Sequence, residues 1–466
     1  MSDSARTPTE EPRGGRAAWW MLVVLVTLYM LSMLDRHIIV MLVEPIKADL
    51  RLTDFEVSLV LGPAFGLCYA VFGLPLGWAA DRLPRRQVIF WGVVVWSLAT
   101  MLSGLAGGLL VLFASRMLVA IGEASLTPAA HSLMSDSFPK QRLSTAMAVY
   151  STGPKGGTSV AFIVGGLLIA AASAAGTQTL PGFGALEPWR FVMLAVGAPG
   201  IVLALLAFSF REPPRRSRTT SDFGAAAAEE GILVFLRRRW QLFVPFFAGF
   251  CLVSIASVGM QTWVPSYMAR QFGWTPAQYG PALGVINGLG AFTLVLKGLV
   301  VDWLYARGVR DAPLRFYFWL LVIFTPLAGL AYMISDPILF LVAYGLVAVV
   351  AVPYVLYAAA TIQMVSPVAF RGRMSAVLLF VATIASTGFG PTAIAFLTDY
   401  VFRDPGKLGV AIAAVSVVCM TGAILCLGHA MRVLRPILLQ DDPTAMATPA
   451  SSAAPPASTP SSSVAG

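Results

Sequence analysis

Residues 73–86 read Gly-Leu-Pro-Leu-Gly-Trp-Ala-Ala-Asp-Arg-Leu-Pro-Arg-Arg, an apolar segment that ends in a cluster of charged residues. Long apolar runs overlap or follow this stretch, at 54–79 and 87–107. A hydrophobic run of about 20 residues is long enough to cross a lipid bilayer as a helix. The stretch therefore indicates two membrane-spanning helices joined by a short basic loop.

The composition of the whole chain agrees with this interpretation. Of the 466 residues, 57% are hydrophobic and 12% are charged, whereas soluble domains carry about 25% charged residues. This balance excludes a soluble enzyme, an unstructured chain and a nucleic-acid-binding protein. The apolar runs are long and continuous, which also excludes a transmembrane β-barrel, because the strands of a barrel alternate between polar and apolar residues.

Twelve apolar runs follow one another along the chain, and they predict an all-α membrane protein with twelve transmembrane helices. We predict the spans at 18–43, 54–79, 87–107, 109–134, 144–172, 189–210, 241–269, 278–301, 315–335, 337–364, 374–399 and 407–431. The connections between them are short, except for one polar segment after the sixth span.

That polar segment, a cytoplasmic linker at 211–240, divides the chain into two halves of six helices each. We predict a cytoplasmic N-terminal segment at 1–17, a first half at 18–210 and a second half at 241–432. Residues 433–466 are expected to form a disordered cytoplasmic tail, because Ala, Ser, Pro and Thr with almost no charge cannot bury enough apolar surface to fold.

The positions of lysine and arginine predict the orientation in the membrane. Most of the 32 lysines and arginines fall on the side of the membrane that also holds both termini. Cytoplasmic loops carry such an excess, so both termini are expected in the cytoplasm. The net charge of +9 then reflects topology rather than affinity for nucleic acid. The preference for arginine over lysine favours a bacterial source, and the predicted location is the cytoplasmic (inner) membrane.

The sequence carries no recognisable cofactor or metal motif. The four cysteines lie inside apolar runs, and the three histidines do not form a metal-binding pattern. A nucleotide-binding Walker motif is also absent. We therefore expect no metal, no cofactor and no enzymatic activity.

An internal repeat supports the division into two halves. The segment Gly77-Trp-Ala-Ala-Asp81-Arg82 after the second span is echoed by Gly298-Leu-Val-Val-Asp302 after the eighth. Two six-helix halves related by a parallel repeat are an architecture of transporters.

The stretch at 73–86 resembles the signature between helices 2 and 3 of the major facilitator superfamily, which has the form G-x-x-x-D-R-x-G-R-R. Pro84 stands where that family usually has glycine. The resemblance covers about residues 18–432 and implies a secondary transporter whose halves give alternating access to a central cavity.

A narrower resemblance is to the spinster branch of this superfamily. It rests on Asp35-Arg36, Pro45-Ile-Lys-Ala-Asp49-Leu, Leu-Thr-Asp at 52–54, Arg116-Met-Leu-Val-Ala-Ile-Gly122-Glu123-Ala124 and Pro-Ala-Ala at 128–130. That branch includes animal sphingolipid and lysophospholipid transporters and bacterial relatives of unsettled substrate. In the bacterial relatives the matching acidic residues are implicated in proton coupling, which implies this role for Asp35 and Glu123.

Four charged side chains inside predicted spans form the main candidate site. An ionisable group at bilayer depth costs about 2.5–3.5 kcal/mol on insertion scales, so it normally has a partner or a function. Arg116 and Glu123 are seven residues apart, which places them on one helix face about 10 Å apart along the axis. In the resembling fold, helices 1 and 4 line the same cavity, where Asp35 and Arg36 would meet them.

Glu123 is the first candidate for the proton carrier and Asp35 is the second. Arg36 and Arg116 are predicted to supply counter-charge or to bind an anionic headgroup. The proton affinity of a carboxylate depends on whether an arginine stays close, so movement of the halves, or a competing substrate anion, can couple proton and substrate. The alternative is a buried charge network that only locks the packing.

A fifth candidate is Lys155, which lies mid-span in Gly-Pro-Lys-Gly-Gly at 153–157. It could add a positive site for an anionic substrate or pair with Glu123, or it could be a hydrated lysine without a special partner. Lys297 lies near a predicted helix end, and there a lysine is expected to snorkel to water.

A second group of residues is predicted to control gating. Its members are Gly77, Asp81, Arg82, Arg85 and Arg86, with Asp302 as the partial copy in the second half. The resemblance implies contacts with a neighbouring helix end on the cytoplasmic side, and these contacts would hold one conformation.

The seventh and tenth spans carry no charge, and they offer Gln261, Tyr354 and Tyr357 among apolar residues. A cavity with one charged wall and one apolar, aromatic wall suits an amphipathic ligand, such as a lysophospholipid or a sphingoid molecule. Ordinary packing between helices is the alternative explanation for the aromatic residues.

The sequence thus predicts a proton-coupled secondary active transporter of amphipathic or lipid-like solutes. A proton-driven multidrug exporter and an organic-anion symporter of the same fold are the alternatives, and a lipid scramblase is the alternative outside active transport. The expected partners are the substrate, protons and the lipid bilayer, with no nucleic acid, and a monomer is expected.

Overall fold

The computed structural model describes residues 15–180, 184–215, 232–351, 354–367 and 370–440. Most of these residues are helical. Residues 1–14, 216–231 and 441–466 lie outside the described residues, and with them most of the predicted N-terminal segment, much of the linker and most of the tail.

The first half of the chain consists of helices and one short hairpin. Its helices are α1 (Arg16–Met41), α2 (Val43–Leu50), α3 (Asp54–Leu61), α4 (Pro63–Arg82), α5 (Arg85–Gly104), α6 (Leu109–Ala124), α7 (Leu126–Ser137), α8 (Lys140–Ala175) and α9 (Pro188–Ala204), and a 3₁₀ turn follows at Leu205–Phe208. Between α8 and α9, strands β1 (Gln178–Leu180) and β2 (Gly184–Leu186) pair antiparallel, with Gln178 opposite Leu186.

The second half is also helical. Its helices are α10 (Ile232–Arg238), α11 (Trp240–Phe272), α12 (Pro276–Ala306), α13 (Ala312–Leu330), α14 (Pro337–Leu346), α15 (Val355–Val365), α16 (Arg371–Phe396) and α17 (Leu408–Gln440), with 3₁₀ turns at Ala331–Met333 and Pro405–Lys407 and π-helical segments at Val347–Ala351 and Leu397–Phe402. α17 continues to Gln440, so residues 433–440 are helical. The predicted disordered tail at 433–466 is therefore wrong for these residues.

The described residues contain eleven helices that are long and apolar enough to cross a membrane. The tenth predicted span, 337–364, is the exception: two shorter apolar helices, Pro337–Val349 and Val355–Val365, occupy it. The first of them ends in a π-helical segment, whose wider turn interrupts regular α-helical hydrogen bonding. The described residues therefore confirm eleven of the twelve predicted spans as single helices.

Helix starts at one end of the bundle are marked by capping boxes. Thr53 and Glu56 cap each other at the start of α3, with hydrogen bonds of 2.8 and 3.1 Å between side chain and backbone. Thr275 and Gln278 form the same arrangement at the start of α12. Such reciprocal caps satisfy backbone donors that a helix start leaves free, so these local sequences determine where the two helices begin.

The apolar core shows that the halves are joined at one end. One continuous core contains Ile39 and Ile46 of the first half together with Trp263 and Met268 of the second. A separate core around Met134 holds the other end of the first half. The halves therefore share buried surface at the end where α1 and α11 finish.

Helices α8 and α12 form a close contact between the halves. A Cβ atom at Gly166 would lie 2.4 Å from the carbonyl oxygen of Pro276, and one at Gly280 would lie 2.6 Å from that of Phe162. Any larger side chain would clash there, so the glycines permit direct backbone approach. The hydroxyl of Ser159 adds a 2.6 Å hydrogen bond to the carbonyl oxygen of Gly284.

Candidate functional site

Helices α1 and α6 bring the four predicted charges together inside the first half. We call Asp35, Arg36, Arg116 and Glu123 the charge cluster. Arg36 Nε lies 2.5 Å from Glu123 Oε2 in a hydrogen-bonded ion pair. The side chain of Glu123 is 1% exposed, whereas that of Arg36 is 26% exposed. The cluster therefore joins a buried carboxylate to a guanidinium that still reaches accessible space.

The other two members of the cluster are buried and only partly satisfied. Arg116 Nη1 donates a long, 3.5 Å hydrogen bond to the backbone carbonyl of Asp35. Among the described residues, Asp35 Oδ1, Arg116 Nε and Glu123 Oε1 are buried without a hydrogen-bond partner. Buried polar atoms are usually paired, so these three atoms have unused capacity to bind a proton or to form a hydrogen bond with a ligand.

Two aromatic rings of α4, which the sequence interpretation did not single out, complete the cluster. The guanidinium of Arg36 lies 4.6 Å from the ring centre of Phe65 and 4.8 Å from that of Tyr69. The guanidinium of Arg116 lies 5.4 Å from the same phenylalanine ring. The spacing of the two aromatics places them on one helix face, but only the packing of α4 shows that they meet the arginines.

Lys155 lies in the middle of α8 and is partly exposed. Within the part of the chain that the structure describes, it makes neither a hydrogen bond nor an ion pair, so the predicted pairing with Glu123 is not present here. On the same helix, Thr158 Oγ1 lies 3.1 Å from His37 Nε2 of α1. Lys155 therefore lies beside the helix that carries Arg36.

Lys297 does not snorkel to water as expected. It is 7% exposed, and its ammonium group donates to the backbone carbonyl of Val349 in the π-helical segment. The carbonyl is available because the hydrogen bonding of a regular helix is interrupted at this point.

The three predicted residues of the second half separate into two environments. Gln261 Nε2 donates to Asn287 Oδ1 over 3.2 Å, and both side chains are partly exposed. Tyr354 is also partly exposed. Tyr357 is fully buried and stacks on Tyr317, with ring centres 4.7 Å apart. In this conformation Tyr357 is therefore core packing and does not line accessible space.

Arg85 of the predicted gating group is fully buried. Its guanidinium forms ion pairs with Asp136 at the end of α7 and with Glu212 after α9, the latter at 3.0 Å. Burial raises the pKa of Glu212, but the hydrogen bonds and charge of Arg85 outweigh it and hold this pKa below its ordinary value. Arg85 thus ties three helix ends of the first half together.

The remaining gating residues lie at the surface of the same helix ends. Arg82 lies over the ring of Trp78 at 4.2 Å, and Arg86 Nη1 donates to the carbonyl of Phe210 over 2.8 Å. Gly77 faces Pro128 of α7, 3.9 Å from the position of a Cβ.

The two gating carboxylates make no interhelical contact in this conformation. Asp81 and Asp302 are exposed, and within the described ranges neither makes a hydrogen bond or an ion pair. Of this motif, Arg85 and Arg86 therefore contact neighbouring helix ends, whereas the two carboxylates do not.

Ion pairs at the opposite end of the bundle connect the halves. We call Glu44, Lys47, Asp54 and Arg270 the clasp. Arg270, from α11, donates two hydrogen bonds of 2.7 Å to the carboxylate of Asp54 and lies 2.8 Å from Glu44. Lys47 also pairs with Asp54. Asp54 was visible in the sequence only as part of the Leu-Thr-Asp motif, and nothing there indicated its partner, which lies 216 positions away.

Two further contacts close the same end. The backbone N–H of Phe55 donates to Asp399 Oδ2 over 2.6 Å, and the hydroxyl of Tyr279 donates to the carbonyl of Met41 over 3.2 Å. Together with the clasp, these contacts connect the end of the first span and the start of the second span to the second half of the chain. The structure therefore has its halves closed together at the clasp.

Comparison with known proteins agrees with this architecture. Residues 25–425 match the model of the Major Facilitator Superfamily. An MFS-type efflux pump of Mycolicibacterium smegmatis is 29% identical, over 86% of this chain and 89% of its own. The D-galactonate transporter of Escherichia coli O6:H1 is 25% identical, over 65% of this chain and 71% of its own.

The fold also matches a solved structure. A bacterial homologue of the human lysosomal transporter Spinster, in an inward-facing and unoccupied conformation, superposes with a TM-score of 0.72 at 24% identity. The match covers 90% of this chain and 96% of that one, which confirms the predicted likeness to the spinster branch in fold. Since the family match extends over most of the sequence and the relatives are named transporters, this multi-pass membrane protein belongs to the Major Facilitator Superfamily.

Proposed function

We propose that the chain is a proton-coupled secondary active transporter that works by alternating access. One observation carries the proposal: a buried carboxylate, Glu123, is paired with Arg36, whose guanidinium is partly exposed. The carboxylate can exchange a proton, and the guanidinium can exchange its partner for a substrate anion. Glu123 is the first candidate for the proton carrier, and Asp35, also buried, is the second.

The coupling follows from the cost of burying a bare charge. When a substrate anion forms an ion pair with Arg36, the buried carboxylate of Glu123 loses its counter-charge. A buried carboxylate without a partner takes up a proton rather than stay ionised. Substrate binding and proton uptake are then linked, and release of the substrate restores the ion pair and frees the proton. Arg116 remains as a second positive charge that can neutralise either Asp35 or Glu123.

The surroundings of Arg36 support an amphipathic substrate with an anionic head. Phe65 and Tyr69 provide apolar faces next to the guanidinium. Gln261 and Tyr354 of the second half are partly exposed and could contact the uncharged part of the molecule. A lysophospholipid-like solute, or a sphingoid-like solute that carries a phosphate group, combines these properties.

A small organic anion is the second candidate substrate. Lys155 has no counter-charge among the residues that the structure describes, so more positive than negative charge is available to a ligand. The relative from Escherichia coli is named as a transporter of D-galactonate, which is a carboxylate. A symporter of such anions would bind the anion through Arg36 and Lys155, and contacts with the aromatic residues would contribute little to its affinity.

The proposed topology follows the charge distribution of the sequence. We place both termini in the cytoplasm of a bacterium, count α14 and α15 together as the tenth of twelve spans, and take the protein as a monomer in the inner membrane. The six-helix halves at 18–210 and 241–432 then flank a cytoplasmic linker at 211–240. In this orientation the clasp closes the outer face.

The test is uptake into proteoliposomes under an imposed pH gradient, with a labelled lysophospholipid and labelled D-galactonate as probes. Wild-type uptake should depend on the gradient, and Glu123→Gln should lose this dependence. Glu187→Gln is the matched control, since Glu187 is exposed. Equal uptake by the two variants would contradict the proton role. Lipid movement without a gradient would indicate a scramblase, and transport of cationic drugs alone would indicate a multidrug exporter.

A further inference from the structure

A cavity lies at the end of the second half that is opposite the clasp. It occupies about 430 Å³ between the first turn of α11 and the last turns of α17. Its polar lining consists of Arg238, Arg239 and Gln241, and its apolar lining includes Leu242, Val433 and Ile437. We call this cavity the basic pocket. Ligand pockets commonly have volumes of about 300–1,000 Å³, so the basic pocket is large enough to hold a ligand group.

The short helix α10 fixes the position of the polar wall. Its residue Phe235 is buried, and the ring lies 5.5 Å from that of Phe243 and 5.4 Å from that of Phe370. Arg239 follows α10 directly, and its guanidinium lies 5.5 Å from the Phe235 ring. Arg239 Nη1 also donates to the backbone carbonyl of Val365 over 3.3 Å. The arginine is therefore held in place by protein contacts before any ligand binds.

The described residues around the pocket carry an excess of positive charge. Arginines are present in α10, in the first turn of α11 and in the last turns of α17, but these stretches contain no aspartate or glutamate among their described residues. Arg239 forms no ion pair within the described part of the chain. A guanidinium carries five N–H donors, and the bond to Val365 uses one of them. The pocket therefore favours an anionic ligand.

The apolar wall and the level of the pocket indicate where this anion comes from. Trp240, between two lining residues, is 57% exposed, and Val244, one helical turn further along α11, is also exposed. Tryptophan is enriched where the acyl chains of a bilayer meet the headgroups. Val433 and Ile437, one turn apart on α17, offer an apolar surface in the same cavity. A ligand with an anionic head and an attached chain matches both walls.

We propose that the basic pocket binds the phosphate-bearing headgroup of an anionic phospholipid from the surrounding bilayer. Arg238, Arg239 and Gln241 contact the headgroup, and the start of the acyl chain contacts Val433 and Ile437. Basic pockets between helices on the cytoplasmic side of membrane proteins bind such headgroups, and the proposed topology places this end on that side. The bound lipid connects the first and last spans of the second half. The site is separate from the charge cluster, so the inference does not depend on the proposed transport function.

Mass spectrometry of the intact full-length protein in a neutral detergent measures the binding. The probes are phosphatidylglycerol, zwitterionic phosphatidylethanolamine with the same acyl chains, and inorganic phosphate. We expect phosphatidylglycerol to bind more tightly than the other two. Arg238→Gln combined with Arg239→Gln should weaken its binding by about tenfold or more, the effect of losing charge-assisted hydrogen bonds. Phosphatidylethanolamine binding should change by less than about threefold. Arg239→Lys combined with Arg238→Lys should retain most of the affinity, because the charge is kept.

Arg142→Gln is the matched control, since Arg142 is an exposed arginine at the same end of the bundle but in the first half. Thermal unfolding without added lipid shows whether each variant is folded, and Arg238→Gln alone tests the site if the double variant does not fold. Equal affinity for the two phospholipids, or equal losses in the control variant, would overturn the proposal of a specific anionic site. Inorganic phosphate that binds as tightly as phosphatidylglycerol would overturn the assignment to a lipid. Loss of proton-driven uptake in Glu123→Gln tests the proposed function separately.

Discussion

Replacement of Arg270 by glutamine tests whether the clasp holds the two halves together. The guanidinium donates two 2.7 Å hydrogen bonds to Asp54 and lies 2.8 Å from Glu44. The side chain of Asp54 is 0% exposed and that of Arg270 is 14% exposed. Without the guanidinium, a buried carboxylate keeps only Lys47 as its charged partner.

The size of the effect follows from this geometry. Removing one partner of a buried ion pair costs about 3–5 kcal/mol. We expect the lower limit, about 3 kcal/mol, because Lys47 still neutralises Asp54 and because Glu44 is exposed enough to be hydrated. Since 1.4 kcal/mol is a factor of ten, the closed arrangement of this face should become about 100-fold less favoured relative to the open one.

Hydrogen–deuterium exchange on the full chain measures this change. Backbone amides at 42–61 and 265–279 flank the clasp, and their protection reports the free energy of opening. In Arg270→Gln they should exchange up to about 100-fold faster, while amides around Arg85 at the other end should not change. Asp54→Asn should act in the same direction, because it removes the charge and keeps the shape.

Arg403→Gln is the control, since Arg403 is an exposed arginine at the same end. Unchanged exchange at 42–61 in Arg270→Gln, with the unfolding transition intact, would refute the idea that the clasp keeps this face closed. Faster exchange in the control variant as well would show that the effect is not specific to the ion pairs.

Three further predictions concern the first half. Arg85→Gln should destabilise the protein by about 3–5 kcal/mol, because it leaves Asp136 and Glu212 without their buried counter-charge, and a fall in the unfolding midpoint would show it; an unchanged midpoint would contradict the structural role. Because the pKa of Glu212 is depressed, its contribution to stability is present above its ordinary pKa of 4.5 and is lost as pH falls through the folded-state value; unfolding midpoints of wild type and Glu212→Gln should therefore converge on acidification. Phe65→Leu should weaken substrate binding by several-fold, because the cation–π contact with Arg36 contributes about 0.5–2 kcal/mol, and an unchanged dissociation constant would exclude that contribution.

The helices and the family could be predicted from the sequence because they depend on local information. Apolar run length predicted the ends of the eleven continuous spans within five residues, except that the last span runs to Leu438 and not to residue 431. The tenth span was less predictable, because a π-helical segment at Val347–Ala351 leaves no distinct signal in a continuously apolar run. The helical extension to Gln440 was missed for a related reason: composition alone marked that region as a tail.

The candidate site could be predicted in part. The pairing of helices 1 and 4 was inferred from the resemblance, and the ion pair between Arg36 and Glu123 agrees with it. The environment of Tyr357 could not be inferred, because an aromatic residue in an apolar helix can face either a cavity or the core. Lys297 likewise became interpretable only when its carbonyl partner was known.

By itself, the sequence indicated the membrane class, the family and the four members of the charge cluster, since each of these follows from run length or a short motif. Only the tertiary structure decided which charges meet. Arg270 meets Asp54, and Arg85 meets Glu212, although the two members of each pair are distant in the chain. The physical reason is that an ion pair depends on separations of a few ångströms, and these are set by how glycine contacts such as Gly166 with Pro276 let whole helices approach.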